Sequence, residues 1–418
     1  MSTNRIAVVG SGMVGSALVC ALQQELNNSD IIWIGGASPP VQEKHCIDPR
    51  VIACSLGSQR FFEQLGAWSL IPSDRLGTYR QMKVWDYEGT GQISFCAEDL
   101  SKQSANNSTA NNSTRTPAPP ENLGHILESS LLVEALHNRI SQSSTKVEKH
   151  IPDLVVDLEY TDTGEVNLTL ESGLQISVDL VCAVDGANSA LREWAQLPTR
   201  AWSCKQRALV SVIKHSKSHQ QTAWQAFLPS GPLAFLPLAH PSGPNYCAIV
   251  WSIDLDKVER IEQLNDEDFI AEINRYIPQE IGQVESATAR FGFALQQSLA
   301  DRYFNGRIVL VGDSAHNIHP LAGQGANLGF ADVEQLVVQL KRAEKRGESI
   351  WSESVLRRYQ RQRRWQNQAM AFAMDAFRKG FGLSEPHLRV ARNQLIHFLQ
   401  GQPKLKKIFL QTAEKAFE

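Results

Sequence analysis

Three glycine-bearing stretches have the residue types and spacing to hold a phosphorylated, planar cofactor. The first is GSGMVG, with Gly10, Gly12 and Gly15 set between an apolar run, Ile6–Val9, and a stretch of helix formers, 16–24. In a strand–turn–helix setting Gly10 permits the tight turn, Gly12 lets a pyrophosphate approach the backbone, and Gly15 permits close helix–strand packing. The helix N-terminus then attracts the negative charge. The second stretch, VCAVDGANSALR (181–192), runs an apolar strand into Asp185–Gly186 and a polar turn. The third, RIVLVGDSAHNIHPLAGQGANLG (307–329), ends a strand at Gly312–Asp313. It continues through a loop with Pro320, Gly323, Gln324 and Gly325, and a helix opens near Ala326 and Asn327. An aspartate at a strand end accepts a hydrogen bond from a sugar or ribityl hydroxyl, and loop glycines let the backbone approach a flat ring. The helix N-terminus offers partial positive charge to a ring that becomes anionic on reduction.

One part of the dinucleotide fingerprint is missing. The second strand, Ile31–Ile34, should lead to an acidic residue that grips a ribose. Gly35 and Gly36 stand there instead, and the nearest acid, Asp30, precedes the strand. The ribose hydroxyls then need another partner or water, and a modest cofactor affinity is expected. His316 and His319 have H-x-x-H spacing, but no carboxylate or third histidine joins them at ligand spacing, so a structural or ring-flanking role is preferred to a metal. Trp224, Phe227, Phe235 and Trp251 have two readings of equal weight: the wall of an apolar substrate cavity, or ordinary sheet core. No residue is identified as a catalytic acid or base.

The elements that must position these residues are legible in outline. Ile6–Val9, the following helix and Ile31–Ile34 form a strand–helix–strand unit that implies a parallel pair. Residues 51–65 read as a helix, and Trp85 to Phe95 as a hairpin around Glu88–Gly89. Residues 123–140 read as helix, 155–184 and 206–253 as largely antiparallel strands, and the chain from 352 onward as helix. The tract from Ser101 to Pro120, ANNSTANNSTR followed by TPAPP, cannot bury a core and reads as a surface loop. Arg357, Arg358, Arg361, Arg363 and Arg364 read as a solvated, ion-paired helix face before they read as a docking site for anionic lipid or an acidic partner. PKLKKIFL (403–410) has an amphipathic pattern suited to a membrane surface, although packing against the protein is the preferred reading.

Composition narrows the class. A chain of 418 residues is long enough for two or three domains, and a net charge of −3 gives no overall basic field for nucleic acid. Seven scattered cysteines with no C-x-x-C pair read as reduced thiols in the cytoplasm, neither a disulfide framework nor a zinc site. The uncharged stretch 6–22 mimics a signal peptide or anchor. Its three glycines and its length, short of the roughly 20 apolar residues a bilayer requires, oppose that. Any membrane contact is then expected to be peripheral, on the inner face of the cytoplasmic membrane.

The three motifs, in this order and spacing, resemble the flavoprotein aromatic hydroxylases typified by p-hydroxybenzoate hydroxylase. The stretches at 48–68, 123–136, 222–238, 249–252, 319–336 and 358–377 look like the ubiquinone-biosynthesis hydroxylase subfamily. The resemblance covers nearly the whole chain outside 101–120. It implies an α/β protein with a Rossmann-like, doubly wound FAD-binding domain (1–75, 121–195 and 290–350). An inserted antiparallel-sheet substrate domain (76–100 and 196–289) and a C-terminal helical region (351–418) complete it. It further implies bound FAD, NADH or NADPH and O₂ as co-substrates, and hydroxylation of a polyprenyl-phenol or benzoquinol ring. Residues 79–95 and 202–212 look somewhat more like the member acting on the methoxy-methyl benzoquinol intermediate. Arg50 would contact the flavin side of the cofactor and Asp313 its ribityl or pyrophosphate region. Asp185–Gly186 would serve FAD and the incoming nicotinamide nucleotide, and 320–327 would line the isoalloxazine ring. A ubiquinone-biosynthesis protein complex is an implied partner. Two alternatives stay open: a hydroxylase of a soluble phenol, and a non-catalytic flavin-binding subunit of a quinone-synthesis complex.

Overall fold

The computed structural model describes residues 3–37, 47–101, 121–162, 164–318, 324–381, 393–394 and 400–402. His319, Pro320, Gly323, nearly all of the 101–120 tract and PKLKKIFL therefore lie outside the described residues.

The N-terminal unit is β1 (Asn4–Val9), α1 (Met13–Glu25) and β2 (Ser29–Ile34). Their apolar runs are continuous because both faces of the sheet are covered. β1 and β2 pair in parallel, with Val9 opposite Ile34. β3 (Val51–Ser55) is followed directly by α2 (Leu56–Leu65), so the helix expected over 51–65 begins later. Val51–Ser55 pairs antiparallel with another strand, and Ser55 caps the helix by accepting from Ser58 N. β4 (Gln81–Asp86) forms the expected hairpin with Gln92–Cys96. The helix expected over 123–140 likewise begins with a strand, β5 (Gly124–Glu128), before α3 (Ser129–Gln142). In both places a short buried strand runs straight into a helix, and apolar periodicity alone does not separate the two.

β6 (Leu180–Ala183) joins the parallel sheet, and β7 (Thr199–His215), β8 (Thr222–Leu228), β9 (Gly231–Pro237), β10 (Tyr246–Asp254) and β11 (Phe291–Ala300) build a second one. β12 (Ile308–Leu310) returns to the first sheet, and α4 (Gln324–Arg346) and α5 (Glu353–Phe381) follow. The first sheet runs Phe304–Asn305, β12, β6, β1, β2, Val147–His150. Val9 lies beside Ala183 and Ala183 beside Leu310, so the three glycine-bearing turns leave the same edge of the sheet. Among the described residues the second sheet has nine strands. β11 pairs along β7 from Thr199 to Val210, which extends the sheet lobe to Ala300, past the expected boundary at 289. Phe291–Ala300 looks from sequence like a lead-in to the next motif, and only its long-range pairing assigns it.

α4 and α5 are locked to the first sheet by one buried carboxylate. Asp332 on α4 accepts from Gly312 N (3.1 Å), Arg363 Nε (2.6 Å), Asn367 Nδ2 (3.1 Å) and the His316 ring. Burial alone would raise its pKa, but the charges and hydrogen bonds of His316 and Arg363 outweigh that and hold it well below the usual carboxylate range. Arg363, read from sequence as part of a solvated basic face, is 1% exposed. Its neighbours Arg357 and Arg358 do pair at the surface, with Glu353 and Glu348.

Arg363→Met leaves Asp332 charged and short of a partner, and is expected to cost about 3–5 kcal/mol at neutral pH by urea unfolding. Asp332 has a depressed folded pKa, so its contribution is complete above the unfolded value, about 3.9, and is lost as pH falls. The gap between wild type and variant should therefore narrow in acid; a gap that widens there contradicts the assignment.

Candidate functional site

The common edge of the parallel sheet carries the first part of the site. Gly10 leaves β1 at φ +135°, and a Cβ there would stand 2.2 Å from Val184 O. A Cβ on Gly15 would meet Gly10 O at 2.1 Å, so α1 and the turn touch backbone to backbone. Gly12 differs: an added Cβ meets nothing within 4 Å. As N-cap of α1 it supplies no side chain to bond the first-turn N–H groups. The helix start is thus open and electropositive, the arrangement that accepts a pyrophosphate.

Asp185 follows β6 beside it. Its Oδ2 accepts from Leu191 N at 3.3 Å, while Oδ1 is buried with no hydrogen-bond partner among the described residues. Burial raises its pKa, opposed by bonds from Ser189 and Leu191 and by Arg192. Gly186, at φ +87°, faces open space. Arg192 clips this turn to the third motif, donating to Ala187 O and to Ser314 O. Gly312 turns at φ +65° on its bond to Asp332. Asp313 reaches solvent, yet the protein packed around it still raises its pKa, with His316 opposing. An orphaned carboxylate oxygen, an uncapped helix and two open glycines fit the phosphate and hydroxyl groups of FAD.

His316 is buried, bonds Asp332 and stacks near Tyr303. Among the described residues no group of three metal-ligating side chains is present. Gln324, Gly325 and Ala326 form the first turn of α4. The Asn327 amide is committed to β3 and α2, accepting from Ser55 N and Ser58 Oγ and donating to Ala53 O. Its side chain clamps β3 to α4, and what it can offer a flavin is backbone.

Gly35 occupies the place expected for the ribose acid, its N–H bonded to His150 O. A Cβ there would lie 2.7 Å from Ser11 Cβ and 2.9 Å from Ser11 N. The turn has closed onto this strand end, and no side chain fits.

A cavity of about 330 Å³ lies between the second sheet and the β3–β5 layer. Arg50, Val51 and Ala53 line it on one side, and Gln225, Ala234, Val250 and Phe293 are among the residues on the sheet side. No carboxylate or histidine is among its described lining residues. Arg50 is held in a chain of ion pairs. Arg75 binds the buried Glu128, Glu128 accepts from Asp48 N, and Asp48 takes Arg50 Nε and Nη2, both at 3.0 Å. Asp48 raises the Arg50 pKa, so its charge is fixed.

Of the four aromatics weighed for this wall, Phe235 and Trp251 are buried in the core on the opposite face of the sheet. Trp224 borders the cavity, but its ring belongs to that same far-side core, under Lys83 Nζ at 4.4 Å. Phe227 packs with Leu328 and Ile318 beneath the start of α4. Period-two alternation sets this: Ala223 and Gln225 face the cavity, so Trp224 between them faces away. Gln225 and Ser252 are polar wall residues that sequence reasoning missed. The alternation would have pointed to them once the cavity face was known.

A family model described as an FAD binding domain matches residues 130–373. The 3-demethoxyubiquinol 3-hydroxylase of Escherichia coli is 33% identical over 388 residues, covering 93% of this chain and 92% of the relative. The mitochondrial ubiquinone biosynthesis monooxygenase COQ6 of Homo sapiens is 26% identical, covering 98% of this chain and 92% of the relative. Among solved structures, p-nitrophenol 4-monooxygenase PnpA from Pseudomonas putida superposes with a TM-score of 0.78 at 19% identity. That match covers 100% of this chain and 99% of the other, and shows the fold.

Two outcomes follow from the cofactor cradle. Installing the absent acid as Gly35→Glu is expected to weaken FAD binding to the apoprotein about tenfold, because the Ser11 backbone must shift; tighter binding by flavin fluorescence titration would contradict it. Asp185→Asn is expected to raise the melting temperature of the apoprotein at pH 7 while loosening FAD. The folded pKa of Asp185 is raised, so wild type loses stability as pH rises through it. The advantage of the variant should therefore vanish below the unfolded value, about 3.9.

Proposed function

The chain belongs to the FAD-dependent monooxygenases, and from that premise we propose that it hydroxylates the ring of a polyprenylated phenol or benzoquinol in ubiquinone biosynthesis. The observation that carries this reading is the cavity: apolar, ring-sized and without a carboxylate or histidine in its described wall, with Val51 and Ala53 of its wall on β3, the strand that Asn327 ties to the start of α4. Such a wall suits a reaction whose hard chemistry belongs to the cofactor and whose protein supplies orientation and water exclusion.

Bound FAD supplies the reducing equivalents from NADH or NADPH and the activation of O₂. The start of α1 and the open position at Gly12 take the pyrophosphate, and the free Oδ1 of Asp185 and the carboxyl of Asp313 accept from hydroxyls. Arg50 brings a fixed positive charge to the cavity edge, its Nη1 outside the pair with Asp48. A positive charge there favours the anionic form of a ring hydroxyl, which is the more electron-rich and reactive one. Val51, Ile126, Val250 and Leu236 keep water from the ring.

The 3-demethoxyubiquinol 3-hydroxylase match favours the methoxy-methyl benzoquinol intermediate as substrate. No described helix is long and apolar enough to cross a membrane. A bilayer-resident substrate then calls for peripheral contact with the inner face of the cytoplasmic membrane, and a quinone-synthesis complex is a natural setting.

Deleting the gene in a strain with no redundant hydroxylase should make a demethoxy quinol precursor accumulate. In vitro, the FAD-loaded protein should add one oxygen atom to that precursor at the expense of NAD(P)H, read by mass spectrometry. A normal quinone profile in the deletion strain overturns the biosynthetic assignment. Turnover of water-soluble phenols but not prenylated rings supports the soluble-substrate alternative. Bound flavin that NAD(P)H and substrate together never bleach supports the non-catalytic one.

A further inference from the structure

We infer that the cavity is a directional slot, in which Gln225 receives a ring oxygen at one end and the substrate tail leaves over Phe293 and Phe291 at the other. The inference rests on the polyprenyl-ring reading above and adds the orientation of the substrate and the residues that read its tail.

The Gln225 end is built for a neutral oxygen. Gln225 is 6% exposed, lines the cavity, and its amide makes no hydrogen bond among the described residues. The amide is open to the cavity, so a ligand that both donates and accepts can replace the water there without loss of hydrogen bonds. A ring hydroxyl or quinone carbonyl does so; a carboxylate or phosphate would want a cation, and Gln225 has no charge to give.

The Phe293 end is built for hydrocarbon. Phe291 and Phe293 share one face of β11, at 53% and 46% exposure, among the most exposed large apolar side chains described. Phe293 also lines the cavity, and Phe291 lies in register with Val210, another wall residue. The exposed patch is therefore continuous with the cavity wall. Exposed apolar surface of this kind marks a contact site, and the cavity identifies its occupant. At about 330 Å³ the cavity sits at the low end of the ~300–1,000 Å³ range that encloses a drug-sized ligand. A ring fits; a tail of many isoprene units does not, and has to emerge. Between the two ends the sheet presents Ala234, Val250 and Val210. Gln225 on β8 and Phe293 on β11 stand four strands apart, roughly 19 Å at ~4.8 Å per strand, along a floor of small side chains.

The test compares kcat/KM of the FAD-loaded protein on two benzoquinols with the same ring, one bearing a single isoprene unit and one a long polyprenyl tail in detergent. The double variant Phe291→Ser, Phe293→Ser should lower the long-to-short ratio about tenfold, since tail contacts alone are removed. Gln225→Leu should lower kcat/KM on both substrates about tenfold and leave the ratio within about twofold. FAD content and flavin absorbance confirm that each variant is folded. An unchanged ratio in the double variant, with wild type active on both rings, overturns the exit while the proposed function stands. Wild type inactive on both rings overturns the proposed function, and this inference with it.

Discussion

A single buried negative charge organises this molecule. Asp332 has no access to water, so its charge must be matched by protein, and it is matched from four directions at once. The partners come from the Gly312 turn, from His316 just beyond it, and from Arg363 and Asn367 one turn apart on α5. A buried charge in such a network is costly to disturb. The Gly312 turn is therefore held, through Asp332, by the long helix α5.

A second aspartate, on the neighbouring strand end, shows the opposite treatment. Asp332 has every oxygen satisfied, whereas Asp185 keeps one buried oxygen without a partner. The first arrangement stabilises the fold, and the second leaves a polar group without a partner among the described residues, available to a ligand hydroxyl. In the sheet lobe the Gln225 amide lies on the cavity wall and is left open to a ligand. Unsatisfied polar atoms in an otherwise well-bonded structure are where ligand chemistry is to be expected.

Gly35 shows how a motif can lose a part without losing its purpose. The glycine turn approaches the end of β2 so closely that no side chain fits beside Ser11. The usual carboxylate is excluded by backbone proximity. The unusual residue and the compact turn are one feature.

By itself the sequence determined the parallel unit at the N-terminus, the three cofactor turns and the chemistry they imply. Each is local: glycine conformation, strand-end aspartates and apolar runs act over a few residues. The strands hidden at 51–55 and 124–128 were not legible, because a buried strand entering a helix shows one unbroken apolar pattern. Nor was the place of 291–300, whose partner lies some ninety residues earlier. Tertiary structure alone decided which of five arginines is buried, since Arg363 looks like its neighbours until Asp332 stands opposite. It alone decided, too, which face of the sheet lines the cavity. Alternation fixes that Gln225 and Trp224 point apart, but which of them meets the substrate depends on what packs against each side, and that is settled only when distant segments close around the sheet.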